Sequence, residues 1–151
     1  MKNIIWVMLI AASPILELRG AIPFAIKLGL SPWEVFFFSI IGNILPVPIL
    51  LCLFSPISEK LRKLSFFSGF FNWLEERTRR KATLVGKYEF LGLILFVAIP
   101  FPTTGAWTGS FAASIFKMRF KKAFLAISIG IIIAASIVSL ISSGGLSLFK
   151  S

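Results

Sequence analysis

The sequence contains neither histidine nor aspartate, and its one cysteine is Cys52. A lone cysteine excludes a disulfide within the chain, and no cluster of side chains has the spacing of a metal site. General acid–base catalysis also has few candidate groups, because glutamate is the only acidic residue type. We therefore expect a protein that is not an enzyme and holds no cofactor.

Charge is scarce in this chain: 15% of its 151 residues are charged and 57% are hydrophobic, with a mean hydropathy of +0.92. These values lie outside the range of soluble globular proteins and predict one all-helical integral membrane domain over residues 1–151. The net charge is +10, and such a strongly positive charge is also typical of proteins that bind nucleic acid. Basic residues on one side of a membrane explain it better, so we expect the lipid bilayer as a partner and no nucleic acid.

The apolar stretch from Glu89 to Met118 is interrupted in its middle by Pro100-Phe-Pro102-Thr-Thr-Gly105. Each proline removes a backbone donor and clashes with the preceding turn, so a straight helix cannot continue through this segment. In hydrocarbon, non-helical backbone survives only where protein or a cavity surrounds it. The stretch therefore predicts a broken hairpin whose turn is a candidate functional site.

A second half-helix, holding Trp107–Phe116, is expected after this break. A threonine before it can cap its first turn, and its amides and dipole then face the middle of the membrane. The candidate site residues from this break and half-helix are Pro100, Pro102, Thr103, Thr104, Gly105, Trp107 and Thr108.

The first half of the chain has a similar pattern. Its apolar run Asn3–Leu16 has 14 residues, fewer than the roughly 20 that a spanning helix needs. The segment Glu17–Pro23 follows, with two opposite charges, a glycine and a proline, and then a short apolar piece, Phe24–Leu30. We expect a second broken hairpin, interrupted at Glu17–Pro23, with Pro23 in the first turn of its second half-helix.

Two longer apolar runs can cross a membrane: residues 33–54, and residues 123–141 near the end of the chain. The first is expected to be kinked beside the site, because it contains Asn43, Pro46 and Pro48. Between the halves, residues 55–88 carry eight Lys/Arg and apolar residues at helical spacing. This linker is expected to be an amphipathic helix on the membrane surface.

The two halves, residues 3–54 and 89–142, have the pattern of an internal repeat, and both contain Ala-Ile-Pro, at 21–23 and 98–100. Each half crosses the membrane an odd number of times whether its hairpin is re-entrant or fully spanning, so the second half is inverted. The linker and the basic turn before the last helix then share one side and hold 12 of the 16 Lys/Arg. The positive-inside rule makes that side cytoplasmic and puts both termini outside.

Glu17 is the one acidic residue well inside a membrane-embedded motif, where an ionised carboxylate costs about 3 kcal/mol on insertion scales. One hypothesis makes it a proton carrier that takes up a proton when the nearby Arg19 turns to a substrate. The alternative is a static ion pair with Arg19 that holds the two hairpins together.

An anion or phosphate site is a further candidate, built from Arg19 and from the half-helix starts at Pro23 and after Gly105. The alternative is that these polar groups only satisfy one another where the hairpins cross.

Three segments carry a family resemblance: ELRGAIPFAIKLG at 17–29, IGNILPVP at 41–48 and FVAIPFPTTGAWTGSFAA at 96–113. With these motifs in this order, the sequence resembles the family of small multi-drug export proteins over nearly its whole length. That family is in turn similar, more distantly, to the DedA/VTT membrane proteins. The resemblance implies two re-entrant hairpins and proton-coupled movement of small or lipid-linked substrates. This chain lacks the arginine that the DedA pattern has near the second break.

These observations predict a small secondary transporter or exporter in the cell membrane. Two alternatives stay open: a carrier of anionic lipid headgroups, and a membrane scaffold that moves no substrate. This chain has half as many repeats as larger transporters have, so we also expect a homodimer by analogy. The candidate substrate- or proton-binding residues are Glu17, Arg19, Pro23, Asn43, Pro46, Pro48 and the seven at the second break.

Overall fold

A computed structural model of the chain describes residues 2–63, 69, 72, 76, 82–101 and 104–148. In these ranges the regular structure is all α-helix, without a strand, as the composition predicts. The helices are α1 (Lys2–Ala12), α2 (Glu17–Lys27), α3 (Pro32–Ile44), α4 (Val47–Lys63), α5 (Ala82–Ala98), α6 (Ala106–Ile115) and α7 (Phe120–Leu148).

Two helical segments among the described residues are long and apolar enough to cross a membrane. Pro32–Lys60 runs through α3 and α4 with a mean hydropathy of 2.3, and Phe120–Ser143 lies in α7 with a mean hydropathy of 2.7. The apolar parts of α1 and α5 are shorter, Asn3–Ala12 and Tyr88–Ala98. This architecture fits a membrane protein in which two long helices are accompanied by short ones.

The first break lies earlier in the chain than the sequence predicts. The predicted interruption at Glu17–Pro23 is wrong, because these residues are helical and Pro23 lies inside α2 rather than in its first turn. The two Ala-Ile-Pro motifs are therefore not equivalent: residues 21–23 come after the first break, whereas residues 98–100 lead into the second.

Ser13 and Pro14 end α1. Because Pro14 has no N–H, it cannot donate to the carbonyl of Ile10, and the Ser13 hydroxyl donates to that carbonyl instead over 2.7 Å. The N–H of Leu16 then donates to the same hydroxyl over 3.3 Å. One serine side chain thus closes the first break into a compact turn of residues 13–16.

The second break lies where its prolines predict it. α5 ends at Ala98 and α6 begins at Ala106, with Gly105 at the N-cap and Pro100 between the helices. Pro102 and Thr103 lie outside the described residues.

The predicted kink is confirmed, because a turn at Leu45 and Pro46 separates α3 from α4. Pro46 and Pro48 lack the N–H groups that would continue the helical hydrogen bonds. α4 continues to Lys63 and α5 begins at Ala82, so helix enters the predicted linker 55–88 from both ends. α7 also continues past Ile141, where the sequence predicts the end of the last span.

The core lies where α2, α3 and α7 pack against one another. Small residues make close packing possible in both halves, where α1 packs on α3 and α5 packs on α7. A Cβ on Gly42 would lie 2.6 Å from the carbonyl oxygen of Met8, and one on Gly130 would lie 2.7 Å from the Cβ of Val97. The largest fully buried apolar side chains are Leu18, Ile22, Ile127 and Ile131.

The two short helices α2 and α6 end in the same cap. The residue after each cap has a left-handed backbone, with φ of +77° at Gly29 and +53° at Lys117. The next N–H, of Leu30 and of Met118, donates to a carbonyl five residues back over 3.3 and 3.0 Å, as in a Schellman motif. These pairs are 88 positions apart, as are Gly42 and Gly130, so the two halves share their local geometry.

Candidate functional site

The two breaks are joined by the Arg19 side chain. Its Nη2 donates to the carbonyl oxygen of Ile99 over 2.9 Å and to Thr104 Oγ1 over 3.2 Å, and its Nη1 donates to the carbonyl of Phe101. These acceptors follow the C-terminal end of α5, where free carbonyls and the helix dipole favour a cation. Arg19 therefore satisfies backbone acceptors that the proline-containing break leaves unpaired.

Glu17 binds the other end of the same break. Its side chain is only 7% exposed, and Oε1 accepts a hydrogen bond from the N–H of Trp107 over 3.4 Å. The N–H of Ala106 also donates to this carboxylate. The first turn of α6 offers free N–H groups and a positive dipole end, which favour an anion. Each of these two charges on α2 thus lies at a helix end of opposite sign. Arg19 lies at the negative C-terminal end of α5, and Glu17 lies at the positive N-terminal end of α6.

Glu17 and Arg19 do not form the predicted ion pair. Both lie in α2, two positions apart, and the structure describes no ion pair between them, although each charge acts on the other electrostatically. Each is bonded to the second half of the chain instead. The predicted role of fastening the two hairpins is therefore carried by two separate sets of bonds to the backbone.

Gly105 gives the Glu17 carboxylate room to reach α6. A Cβ built on Gly105 would overlap Glu17 Oε2 and would lie 2.5 Å from Glu17 Cδ. Glu17 itself has a φ of +48°, an unfavourable value for a residue with a side chain. Such a conformation persists only where its surroundings hold it, which here are the first N–H groups of α6.

Two threonines stabilise this region in different ways. Thr108 caps α6, because its Oγ1 accepts the N–H of Gly105 over 3.0 Å. Thr104, one of the two threonines that could cap α6, closes the break instead: its hydroxyl donates to Ile99 O over 2.7 Å and accepts the N–H of Phe101 over 3.3 Å.

Trp107 connects α6 to the first break. Its indole Nε1 donates to the carbonyl oxygen of Ala12 over 3.1 Å. That carbonyl is available because α1 ends at Ala12. The end of α1, the start of α2 and the start of α6 therefore meet at one place.

The structure thus brings together one part of the predicted site: Glu17, Arg19, Thr104, Gly105, Trp107 and Thr108, with Pro100 in the same break. In the described part of the chain, no hydrogen bond joins this cluster to Pro23, Asn43, Pro46 or Pro48. Asn43 is 1% exposed, and its Oδ1 has no partner among the described residues.

The groups expected to form an anion site are placed as follows, and Arg19 Nε is buried without a hydrogen-bond partner among the described residues. Pro23 does not begin a helix, the start of α6 holds Glu17, and Arg19 is bonded to three acceptors. In the described part of the chain, no three His, Cys, Asp or Glu side chains gather where they could hold a metal ion.

Backbone groups are what the sequence analysis missed. The carbonyls of Ala12, Ile99 and Phe101 are essential acceptors of this cluster, although their side chains carry no chemistry. The pair Ser13-Pro14 was the available signal for the first of them, because it marks the end of α1 and so a free carbonyl.

No curated protein and no solved structure matches this chain. The family model described as "Putative small multi-drug export protein" matches residues 17–137, which include α2, the second break, the kinked helix pair and most of the last helix. This match spans most of the chain and agrees with its two long apolar helices. The chain belongs to the family of small multi-drug export proteins.

Proposed function

We propose that this chain is a secondary transporter that exports small molecules, with its coupling site where the two breaks meet. The observation that carries the proposal is the placement of Glu17, a buried carboxylate bonded to the first turn of a helix in the other half of the chain. A buried charge at such a site is expected to have a function. A charge without a function would be replaced by an apolar residue, since that replacement would stabilise the protein.

Glu17 would carry the coupling proton. In its ionised form it accepts from Trp107 and Ala106, and these bonds hold α6 against α2. A protonated carboxyl is neutral, so it gains less from the α6 dipole and holds those N–H groups more weakly. Protonation would therefore release the start of α6, while Arg19 keeps the end of α5 in place through Ile99 and Phe101.

We propose that the two halves are inverted repeats, each a re-entrant hairpin followed by a long helix. The helix caps at Gly29 and Lys117, and the glycine contacts at Gly42 and Gly130, support a repeat at a separation of 88 residues. In this topology the linker 55–88 is cytoplasmic and both termini are outside, in a multi-pass protein of the cell membrane that functions as a homodimer.

Export of a neutral or cationic molecule fits the site better than transport of an anionic lipid headgroup. A headgroup carrier needs a free cation, whereas both terminal nitrogens of Arg19 are bonded to Ile99, Phe101 and Thr104, and only its buried Nε has no partner among the described residues. A scaffold would need the same bonds for folding alone and would move no protons.

Proton flux in proteoliposomes tests the proposal. Purified protein is reconstituted with a pH dye inside, and a panel of cationic drugs and an anionic lipid reporter are added to the same preparation. We expect drug-dependent proton movement that is lost in Glu17→Gln and kept in the control Glu34→Gln, whose carboxyl is exposed at the start of α3.

Two outcomes would contradict the proposal of proton-coupled export. Lipid movement that is lost mainly in Arg19→Gln would favour the headgroup carrier. A folded wild type that moves neither protons nor lipid would favour the scaffold.

A further inference from the structure

A groove of about 440 Å³ lies between α5 and α6, on residues that take no part in joining the two breaks. This volume is within the range of pockets that hold small ligands. The groove extends along α5 from Tyr88 to Phe96, about 12 Å for a helix of this length. Its far end lies less than one helical turn before Ile99, whose carbonyl oxygen accepts a hydrogen bond from Arg19.

Two small residues, Gly92 and Ala112, keep the groove open. A Cβ on Gly92 would meet nothing within 4 Å, so the space beside it is free. In the first half, the corresponding positions hold large side chains. At the 88-residue separation of the two halves, Ile4 corresponds to Gly92 and Phe24 corresponds to Ala112. At both positions the second half therefore has the smaller side chain, which leaves the space that the groove occupies.

The chemistry of the groove is that of a receptor for lipophilic cations. Its walls include the rings of Tyr88, Phe96 and Phe116, whose faces attract cations. Glu89 is the one charged side chain among its lining residues and is half-buried. Lys122 on α7 acts on this carboxylate electrostatically, but these two described side chains do not form an ion pair. The charge of Glu89 is therefore open to a second cation.

We propose that this groove binds a lipophilic monocation, with its aromatic surface against the α5–α6 walls and its charge at Glu89. The proposal deepens the proposed export function, on which it rests, by naming the substrate class and its entry site. Glu89 lies near the start of the apolar part of α5, beside the basic turn at 117–122, so the cation would enter from the side that the positive charge makes cytoplasmic.

Equilibrium binding of radiolabelled tetraphenylphosphonium to the full chain in lipid nanodiscs tests this proposal without a gradient. Tetraphenylborate, an anion of the same shape, is the competitor that separates charge from apolar fit. Gly92→Leu fills the groove, and Glu89→Gln removes its charge. Leu95→Phe adds bulk at an exposed position elsewhere on α5, and Glu34→Gln removes a carboxyl on α3, so both serve as controls.

We expect saturable binding that tetraphenylborate does not displace. The dissociation constant should rise about tenfold or more in Gly92→Leu and in Glu89→Gln, and should not change in the controls. Each variant is first checked for the elution volume and helicity of the wild type. If Glu89→Gln fails that check, displacement of tetraphenylphosphonium by tetraphenylborate still decides the role of charge in the wild type.

Equal binding of the two ions, or wild-type affinity in Gly92→Leu, would overturn the proposal. Loss of a copurified lipid from Gly92→Leu, with tetraphenylphosphonium binding unchanged, would show that an acyl chain fills the groove. Binding without drug-dependent proton flux would contradict the export function and leave the groove assignment standing, whereas flux with unchanged kinetics in Gly92→Leu would contradict the groove alone.

Discussion

Arg19 Nη2 lies 2.9 Å from the carbonyl oxygen of Ile99, a residue 80 positions later in the chain. This bond joins a cation of the first half to the backbone of the second break, at the point where Pro100 ends the helix. Together with the bond from Trp107 N–H to Glu17, it makes the two breaks one structural unit. The predictions below test this unit, the packing that surrounds it and its place in the membrane.

Replacing Arg19 should destabilise the protein. Arg19→Gln removes the charge and shortens the side chain, so the carbonyls of Ile99 and Phe101 lose their hydrogen-bond donor. We expect this loss to lower the free energy of unfolding by about 2–4 kcal/mol. Arg19→Lys keeps the charge but cannot present two nitrogens in one plane, so it should lose roughly half as much. The free energy of unfolding in detergent measures both, and equal stability of all three proteins would contradict the assignment.

Gly105 and Glu17 should be energetically coupled. Gly105→Ala places a methyl group where the Glu17 carboxylate lies, so it should destabilise the protein by about 1–3 kcal/mol. In a Glu17→Ala background that space is empty, and the same change should have little effect. A double-mutant cycle should thus give an interaction energy of about 1–3 kcal/mol. Simple additivity would show that the two residues are not in contact.

Glycines at the helix contacts should be sensitive to a single added methyl group. Gly42→Ala and Gly130→Ala each place a Cβ within 3 Å of a neighbouring helix, so each should lower stability by about 1–3 kcal/mol. Gly92→Ala is the matched control, because its Cβ meets nothing and alanine favours a helix by about 1 kcal/mol. Thermal unfolding should separate the first two variants from the third.

The membrane topology can be tested with single cysteines in a Cys52→Ser background. Asn3→Cys lies near the N-terminus and Glu76→Cys lies in the linker, and both positions are exposed. In intact cells a membrane-impermeant maleimide should label the first and not the second, because the basic linker is expected on the cytoplasmic side. Labelling of residue 76 from outside would contradict the proposed inverted arrangement.

The sequence predicted the helical class, the second break and the kink, because prolines constrain the backbone locally. Pro100 and Pro46 act within their own turns, so their effects need no knowledge of the rest of the chain. The first break lies at Ser13-Pro14 rather than at the charges of residues 17–19, which the sequence pattern alone indicates as the interruption. A buried helix start can carry charges when another helix end satisfies them.

The partners of Glu17 and Arg19 could not be predicted from the sequence. They are backbone groups 80 or more positions away, and every residue has such groups. Only the packing of α2 against α3 and the last helix selects which of them are in reach. The groove at Gly92 was missed for a similar reason, because a glycine in an apolar run gives no local signal of an empty space.

The central claim is that Glu17 carries the coupling proton. It is tested most directly by comparing two modes of transport in the same proteoliposomes: counterflow of tetraphenylphosphonium between equal pH values, and uptake driven by an imposed pH gradient. For Glu17→Gln we expect counterflow near the wild-type rate and no dependence of uptake on the gradient. Gradient-driven uptake that survives in Glu17→Gln would contradict the claim.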